Sequence, residues 1–206
     1  IRLLEELDLK LVKVVDTHVH ADHITAMGAR RDRTNCVTVM GEQSPVDVVS
    51  MRVSDGERVT IEGIDLTAMH TPGHTDDSYC FRMDDRVFTG DTLLIRGTGR
   101  TDFQNGDAGQ QYDSLFDGVL KLPESTLVYP AHDYKGDMVS TIGEERANNP
   151  RLQVGSRAEY IELMAGLNLP NPKMMDVAVP ENIRMGLNLD RQREVATVTP
   201  ESIIMD

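Results

Sequence analysis

Residues 16–23 have the sequence DTHVHADH, and this stretch is the most informative part of the chain. Within six residues it carries three imidazoles and a carboxylate, at positions 18, 20, 22 and 23. It follows the β-branched run at residues 11–15, which is typical of a buried strand. Neutral imidazoles and carboxylates are the ligands of Zn, Fe, Mn and similar ions. The stretch therefore predicts a metal site in the loop after a strand.

Three further donors follow in similar surroundings. His74 lies in TPGHT at 71–75, Asp91 in FTGDT at 88–92 and His132 in YPAHDY at 129–134. In each case an apolar strand ends in a loop marked by Gly or Pro, and loops on a rigid sheet commonly carry catalytic groups. His70 stands in a strand outside these motifs, and we interpret it as structural.

The spacing of the donors allows one metal or two. His18 and His20 alternate, so both can point to one side, while Asp22 and His23 can present a second set. Asp91 can bridge two metals.

Composition excludes several classes of protein. The 206 residues carry a net charge of −13, which repels phosphate backbones and argues against nucleic-acid binding. No stretch approaches the roughly 20 apolar residues of a membrane span.

Cys36 and Cys80 fit no CxxC pattern, so we interpret them as reduced thiols in a reducing, intracellular compartment. No targeting signal is visible in the sequence.

Hydrophobic patterning predicts one α/β domain. We expect the end of a helix at 1–8 and strands at 11–15, 37–40, 58–61, 64–70, 78–82, 86–89 and 126–129. Asp84 and Asp85 predict a hairpin turn. A helix is predicted at 111–121, and the pairs Thr141/Glu144 and Ser156/Glu159 match the capping box, the second opening a helix to about residue 167. We divide the chain into a core at 1–150 and a helical and extended appendage of the same domain at 151–206. We expect irregular structure after Asn168 and fraying over roughly the last fifteen residues.

The order HxHxDH, His, Asp, His resembles the metallo-β-lactamase superfamily. The resemblance implies an αββα sandwich with the metal site at the open edge of its two sheets. This chain begins close to its first metal motif, so we expect it to lack part of the N-terminal β segment of that fold. By resemblance the first-site ligands are His18, His20 and His74. The second-site ligands would be Asp22, His23 and His132, with Asp91 shared.

Segments beyond the donors narrow the resemblance to the persulfide dioxygenase (sulfur dioxygenase) family. These segments are GRTDFQ at 99–104, YPAHDY at 129–134, EER at 144–146, NPRL at 149–152, LNLPxP at 167–172 and VPxNxR at 179–184. The resemblance implies one Fe(II) per chain, held by His18, His74 and Asp91 as two imidazoles and one carboxylate. The remaining donors would then orient ligands, waters or substrate; they are His20, Asp22, His23 and His132. The seven donors alone also allow two Zn ions.

The same resemblance implies oxidation of glutathione persulfide with O2 to sulfite and glutathione. We select Arg100 as a functional cation that holds anionic charge or loop geometry; the alternative is an ion pair with Asp102 or Glu144. Tyr134 can donate a hydrogen bond toward bound substrate or oxygen. Weaker candidates for the glutathione carboxylates are Arg96, Lys135 and Arg151.

The main alternative is a dinuclear thioester hydrolase similar to hydroxyacylglutathione hydrolase (glyoxalase II), which metal content and O2 consumption distinguish. A non-enzymatic scaffold is disfavoured because all seven donor positions are filled. We expect a cytoplasmic protein, or a protein of the mitochondrial matrix if the source is eukaryotic. A homodimer is the expected assembly, although no sequence feature specifies it.

Overall fold

The computed structural model of the protein describes residues 1–172 and 175–187. Within them the strands are β1 Lys13–Val15, β2 Val37–Gly41, β3 Met51–Val53, β4 Arg58–Ile61, β5 Ile64–His70, β6 Tyr79–Arg82, β7 Arg86–Gly90, β8 Leu127–Pro130 and β9 Ser140–Thr141. The α-helices are α1 Arg2–Glu6, α2 Met27–Thr34, α3 Ala108–Asp113, α4 Ile142–Asn148, α5 Arg157–Ala165 and α6 Met175–Asn182. Helix α3 continues into a π-helical turn, Ser114–Gly118, and a 3-10 turn, Val119–Lys121.

The strands form two sheets. Strands β1, β2 and β3 lie in that order and are parallel. The second sheet has the order β4 to β9, and its neighbours are antiparallel except for the parallel pair β7 and β8. Because β7 and β8 run in the same direction, the loops that follow them meet at one edge of the sheet. These loops carry Asp91 and His132.

The layers stack in the order α, β, β, α. Val39 of the first sheet packs with Ala68 and Phe81 of the second, so the two sheets lie face to face. The outer face of the second sheet is covered by α3, α4 and α5 in a cluster that includes Val87, Val128, Leu115, Ile142, Tyr160 and Met164. On the first sheet Met27 of α2 and Met185, just after α6, pack against Met40.

Most predicted elements are confirmed. The strands predicted at 58–61 and 64–70 have those bounds, and the other predicted strands differ by one or two residues at their ends. The turn at 84–85 joins the antiparallel strands β6 and β7. Both predicted caps form, with Thr141 accepting from the amide of Glu144 and Ser156 from the amide of Glu159.

Other expectations need correction. The helix predicted at 111–121 begins three residues earlier because the Asp107 side chain caps it by accepting from the Gln110 amide. Irregular structure was expected after Asn168, yet residues 175–182 form α6 with Pro180 inside it. Helix α2 and the short strands β3 and β9 were not predicted. The expected fraying at the end of the chain lies outside the described residues.

The division at residue 150 stays a prediction. Tyr160 and Met164 of α5 belong to the same apolar cluster as Val87 and Val128 of the second sheet. No helix in the described ranges is both long enough and apolar enough to cross a bilayer.

Candidate metal centre

Three donor side chains converge from three different loops at one edge of the sheets. His18 follows β1, His74 follows β5 and Asp91 directly follows β7. The Nε2 atom of His74 lies 3.4 Å from Oδ2 of Asp91, and Nε2 of His18 lies 4.0 Å from the same oxygen. One donor atom from each residue lies within 4.8 Å of the other two. We call His18, His74 and Asp91 the first donor cluster.

Contacts on the far side of each imidazole orient this cluster. Nδ1 of His74 lies 2.7 Å from the carbonyl oxygen of Arg100. Because a carbonyl only accepts, Nδ1 carries the proton and Nε2 presents a lone pair. Nδ1 of His18 lies 2.9 Å from Oγ1 of Thr17, whose carbonyl accepts from the Tyr79 amide. Both rings therefore direct Nε2 toward Asp91.

His20, Asp22 and His23 form a second donor cluster, with one atom from each within 4.8 Å of the others. His132 joins the two clusters. Its Nε2 lies 3.3 Å from Oδ2 of Asp22 and 3.5 Å from Oδ2 of Asp91. The structure thus brings together all seven donors predicted from the sequence.

Two unpartnered atoms show that this donor set fits a cation. Among the side chains that the structure describes, the buried polar atoms without a hydrogen-bond partner are Nδ1 of His20 and Oδ1 of Asp91. Leaving such a group unpaired costs about 1–3 kcal/mol. A metal ion bound beside them would satisfy both atoms, since an imidazole nitrogen and a carboxylate oxygen are metal ligands.

Electrostatics place the donors in their coordinating protonation states. Burial, together with the neighbouring imidazoles of His20 and His74, holds the pKa of His18 well below its usual value, so its ring is neutral. Burial alone would raise the pKa of Asp91. The hydrogen bond with His132 and the electrostatic interactions with the surrounding imidazoles outweigh it and lower that pKa, so Asp91 is a carboxylate. His18 and Asp91 therefore need to release little or no proton to bind a metal near neutral pH.

A cavity of about 580 Å³ opens over the donors. Its floor includes Asp22, His74, Asp91 and His132. The remaining wall is largely apolar and includes Leu94, Phe103, Gln104, Tyr134, Arg151, Leu169, Pro170 and Pro172. An apolar wall over a few polar groups is typical of a small-molecule site.

Arg100 lies in the wall of this cavity with its guanidinium already engaged. Nε and Nη2 donate to the two carboxylate oxygens of Asp102, both at 2.6 Å. Nη1 donates to the carbonyl of Pro170 at 2.7 Å, and Nη2 to that of Leu169 at 3.3 Å. The guanidinium also stacks 3.8 Å above the ring of Phe103. Arg100 therefore fastens the segment at 169–170 to the loop after β7.

Tyr134 and Arg151 face the cavity with less support. Tyr134 is 78% exposed, and its ring stacks on His132 at 5.8 Å. Partial desolvation of the side chain, with the negative charges of Asp91 and Asp22, raises the pKa of Tyr134, so its hydroxyl keeps its proton. Arg151 is half-buried and donates from Nη1 to the carbonyl and the hydroxyl of Thr98. Burial lowers the pKa of Arg151, as expected for a cation with restricted access to water.

The other cations proposed from the sequence line a smaller, adjacent cavity that shares His132, Tyr134 and Arg151 with the larger one. Arg96 forms ion pairs with Glu144 and the fully buried Glu145, so its guanidinium is engaged away from the donors. Lys135 lies in a turn where its amide donates to Asp133, beside this cavity of about 130 Å³. His70 contacts the carbonyl of Asp76 and the ring of Tyr79, outside both donor clusters, which agrees with a structural role.

Two residues that hold the site were not predicted. Oδ2 of Asp77 accepts from the amide of Val19 at 3.0 Å, and Nε2 of Gln104 donates to the Val19 carbonyl at 2.7 Å. Both groups of the residue between His18 and His20 are thus fixed. The sequence offered one indication of such supports. Val19 lies between two donors, and its backbone amide and carbonyl require hydrogen-bond partners.

The layered fold and its clusters of imidazoles and carboxylates define a metal-binding protein of the metallo-β-lactamase class. Residues 40–132 match the model of the metallo-β-lactamase superfamily. The crystal structure of ETHE1 from Myxococcus xanthus superposes with a TM-score of 0.88 at 51% identity, covering 90% of this chain and 82% of that one.

Curated proteins of similar sequence support the same classification. The mitochondrial persulfide dioxygenase ETHE1 of Mus musculus is 44% identical over 189 residues, which cover 90% of this chain and 74% of the mouse protein. Glyoxylase B2 of Dictyostelium discoideum is more distant, at 28% identity over 217 residues, with 90% of this chain and 74% of that protein covered. The chain belongs to the persulfide dioxygenase family of the metallo-β-lactamase superfamily.

Proposed function

We propose that the protein is a non-haem Fe(II) dioxygenase that oxidises glutathione persulfide. The reaction consumes one persulfide, one O2 and one water and yields glutathione, sulfite and two protons. The outer sulfur gives up four electrons and O2 accepts four. The observation that carries this proposal is the first donor cluster, in which two imidazoles and one carboxylate converge beneath a cavity. This is the ligand set of non-haem Fe(II) oxygenases, and it leaves coordination positions open.

His18, His74 and Asp91 would hold the iron. Sulfur with paired electrons cannot easily give electrons directly to O2. Bound iron would supply the one-electron steps that this reaction requires. The chain's own residues keep this site in one arrangement. The Arg100 carbonyl keeps the proton of His74 on Nδ1, and burial keeps His18 neutral. His132 contacts both Asp91 and Asp22, so it links the ligand carboxylate to the second cluster.

The cavity supports the substrate half of the proposal. Glutathione persulfide carries two carboxylates, and Arg151 is a half-buried cation on the cavity wall. Within the described residues its guanidinium donates to Thr98 and to no carboxylate. We assign Arg151 to a glutathione carboxylate. Tyr134 stands beside His132 with an exposed side chain, and we assign its hydroxyl as a donor toward bound persulfide. Arg100 shapes the cavity by holding the carbonyls of Leu169 and Pro170.

One observation favours a second candidate, a dinuclear thioester hydrolase of the glyoxalase II type. The second donor cluster brings three donor side chains together, and Nδ1 of His20 is buried with no hydrogen-bond partner among the described residues. Two metals would then activate a bridging water for attack on a thioester carbonyl. Persulfide oxidation remains the proposed function because the sequence is closer to the persulfide dioxygenase ETHE1 than to Glyoxylase B2.

The two functions are separated by O2 consumption. Protein purified anaerobically and loaded with Fe(II) is given glutathione persulfide in an oxygen electrode, and sulfite is assayed in the same sample. The proposal expects persulfide-dependent O2 uptake with one sulfite formed per O2. Hydrolysis of S-lactoylglutathione without O2 uptake would favour the hydrolase.

The compartment and the assembly remain predictions. Cys36 and Cys80 are both free and buried, as expected for a chain in a reducing compartment. The cytoplasm or the mitochondrial matrix fits this expectation. Light scattering after size-exclusion chromatography tests the expected homodimer.

A further inference from the structure

The turn that carries the second donor cluster is held by one distant side chain. Nδ2 of Asn182 donates to the carbonyls of His20 and His23, both at 2.8 Å. Oδ1 of Asn182 accepts from the amide of Thr25 at 2.8 Å. Asn182 is 3% exposed, so water cannot replace these partners. Both amide protons and the amide oxygen of Asn182 are therefore committed to residues 20–25.

Close packing keeps Asn182 in place. It is the last residue of α6, and the chain after it turns back onto the start of α2. The amide of Gly28 donates to the carbonyl of Met185 at 3.0 Å, and Met185 is buried in the cluster with Val19. Gly186 has a φ of +69°, and a Cβ there would lie 2.1 Å from the carbonyl oxygen of Thr25. This segment leaves the Asn182 amide little room to move.

The contacts of the Asn182 side chain support the second donor cluster and not the first. Its side chain forms hydrogen bonds with residues 20, 23 and 25, within and just after the second cluster. The imidazoles of the first cluster are oriented by other groups, Thr17 for His18 and the Arg100 carbonyl for His74. Loss of Asn182 would therefore loosen His20, Asp22 and His23 and leave the first cluster largely intact.

We propose that Asn182 is a positioning residue that sets the direction of the donors in the His20–His23 turn. The inference rests on the proposed function in so far as this turn borders the proposed iron site. An amide is required at this position. A carboxylate would face two carbonyl oxygens, and an apolar side chain would leave two carbonyls and one N–H buried and unpaired.

The test compares Asn182→Asp with Val119→Ala. Asp has the same shape as Asn but loses both donors, while Val119 is buried in the cluster under α3 to α5, away from the metal site. Hydrogen exchange by mass spectrometry reports on peptides that cover residues 20–25 and, for comparison, 88–92. The visible absorption spectrum of Co(II)-loaded protein reports on the donors around the metal.

We expect Asn182→Asp to raise exchange at 20–25 by about tenfold, with a much smaller change at 88–92. The Co(II) spectrum should change, and kcat should fall more than Co(II) affinity does. Val119→Ala should lower Tm, but it should neither raise exchange selectively at 20–25 nor change the Co(II) spectrum. An Asn182→Asp protein with wild-type exchange at 20–25 and a wild-type Co(II) spectrum overturns the proposal.

A measurement on the wild-type protein covers the case in which Asn182→Asp does not fold. Both side-chain N–H protons of Asn182 should exchange far more slowly than those of a solvated amide in NMR spectra. Exchange at the solvated rate overturns the proposal. These readouts need no persulfide. A wild-type protein with no persulfide-dependent O2 uptake but with slow exchange of the Asn182 side-chain protons would therefore reject the proposed function and leave the role of Asn182 standing.

Discussion

The carbonyl oxygen of Arg100 lies 2.7 Å from Nδ1 of His74, so the loop after β7 orients a donor from the loop after β5. The same loop begins with the donor Asp91, and the Gly99 amide donates back to the Asp91 carbonyl at 2.7 Å. Residues 91–100 thus supply one donor and orient another. The geometry of the first cluster depends on this loop closing tightly.

Gly99 should tolerate no side chain. A Cβ at this position would lie 2.3 Å from the Asp91 carbonyl oxygen and 2.7 Å from Nδ1 of His74. We expect Gly99→Ala to weaken metal binding by about tenfold or more, because displaced supports of metal ligands typically cost 10–100-fold. Chelator competition with Co(II) measures the dissociation constant.

Gly118→Ala is the matched control for this substitution. A Cβ at Gly118 meets nothing within 4 Å, so metal affinity should stay at the wild-type value. Unchanged affinity in Gly99→Ala would contradict the role of this loop.

Arg100→Lys should affect substrate binding more than iron binding. Lysine cannot pair with both oxygens of Asp102 and also reach the carbonyls of Leu169 and Pro170. The backbone carbonyl that holds His74 is unchanged. We expect KM for glutathione persulfide to rise by about fivefold to tenfold with iron content preserved. Steady-state kinetics with parallel iron analysis measures both.

Arg86→Lys serves as the control, since Arg86 makes the same type of two-oxygen pair with Asp85 on the surface and lies over the ring of Tyr129. Its kinetics should match the wild type. An iron-deficient Arg100→Lys protein with normal KM would show that the side chain supports the metal and not the cavity.

Glu145 should be required for folding stability. It is fully buried and accepts from Arg96, Ser140 and Asn149. Removing one partner of a buried ion pair costs about 3–5 kcal/mol, so Glu145→Ala should lower the free energy of unfolding by that amount. Urea denaturation measures it. Glu144→Ala, which removes the exposed partner of Arg96, should cost less than about 1 kcal/mol. Equal losses would show that the buried network is not the source of stability.

Cys80 should make the fold sensitive to alkaline pH. Burial raises the pKa of Cys80 to about 11 from an ordinary value near 9. Because the pKa of the thiol is higher in the folded state than in the unfolded state, the protonated thiol contributes fully to stability below pH 9. This contribution is lost as the pH rises through 11. Two pH units correspond to about 3 kcal/mol. Cys80→Ala should therefore lose less stability than the wild type between about pH 8 and about pH 11.

Urea denaturation at the two pH values tests this prediction. Burial also raises the pKa of Tyr160, to about 12, but Tyr160 is present in both proteins and cancels in the comparison. Identical losses in wild type and Cys80→Ala would mean that Cys80 does not titrate differently in the folded state.

The seven donors could be predicted because His and Asp in turn-bounded motifs indicate metal chemistry by residue type alone. The strands with regular apolar patterns were predicted for a similar local reason. Helix α2 was missed because the sequence MGARRDRT buries only Met27 and Gly28 and so has no apolar stripe. Helix α6 was missed because the proline-rich sequence after Asn168 argued for irregular structure, although Pro180 lies inside the helix.

The supports of the site could not be predicted from local pattern. Asn182 acts on a turn about 160 residues away, and Gln104 on a peptide 85 residues away. Neither residue type indicates such a contact. The pair of Arg100 with Asp102 was weighed from the sequence, but its contacts with Leu169 and Pro170 depend on tertiary folding.

An iron titration tests the central claim most directly. Metal-free protein is given Fe(II) anaerobically in increasing equivalents, and persulfide-dependent O2 uptake is measured at each step. The account predicts that activity rises linearly and saturates at one iron per chain, and that Asp91→Ala abolishes it. Saturation only at two metals per chain, or full activity with Zn(II), would contradict a single iron held by His18, His74 and Asp91.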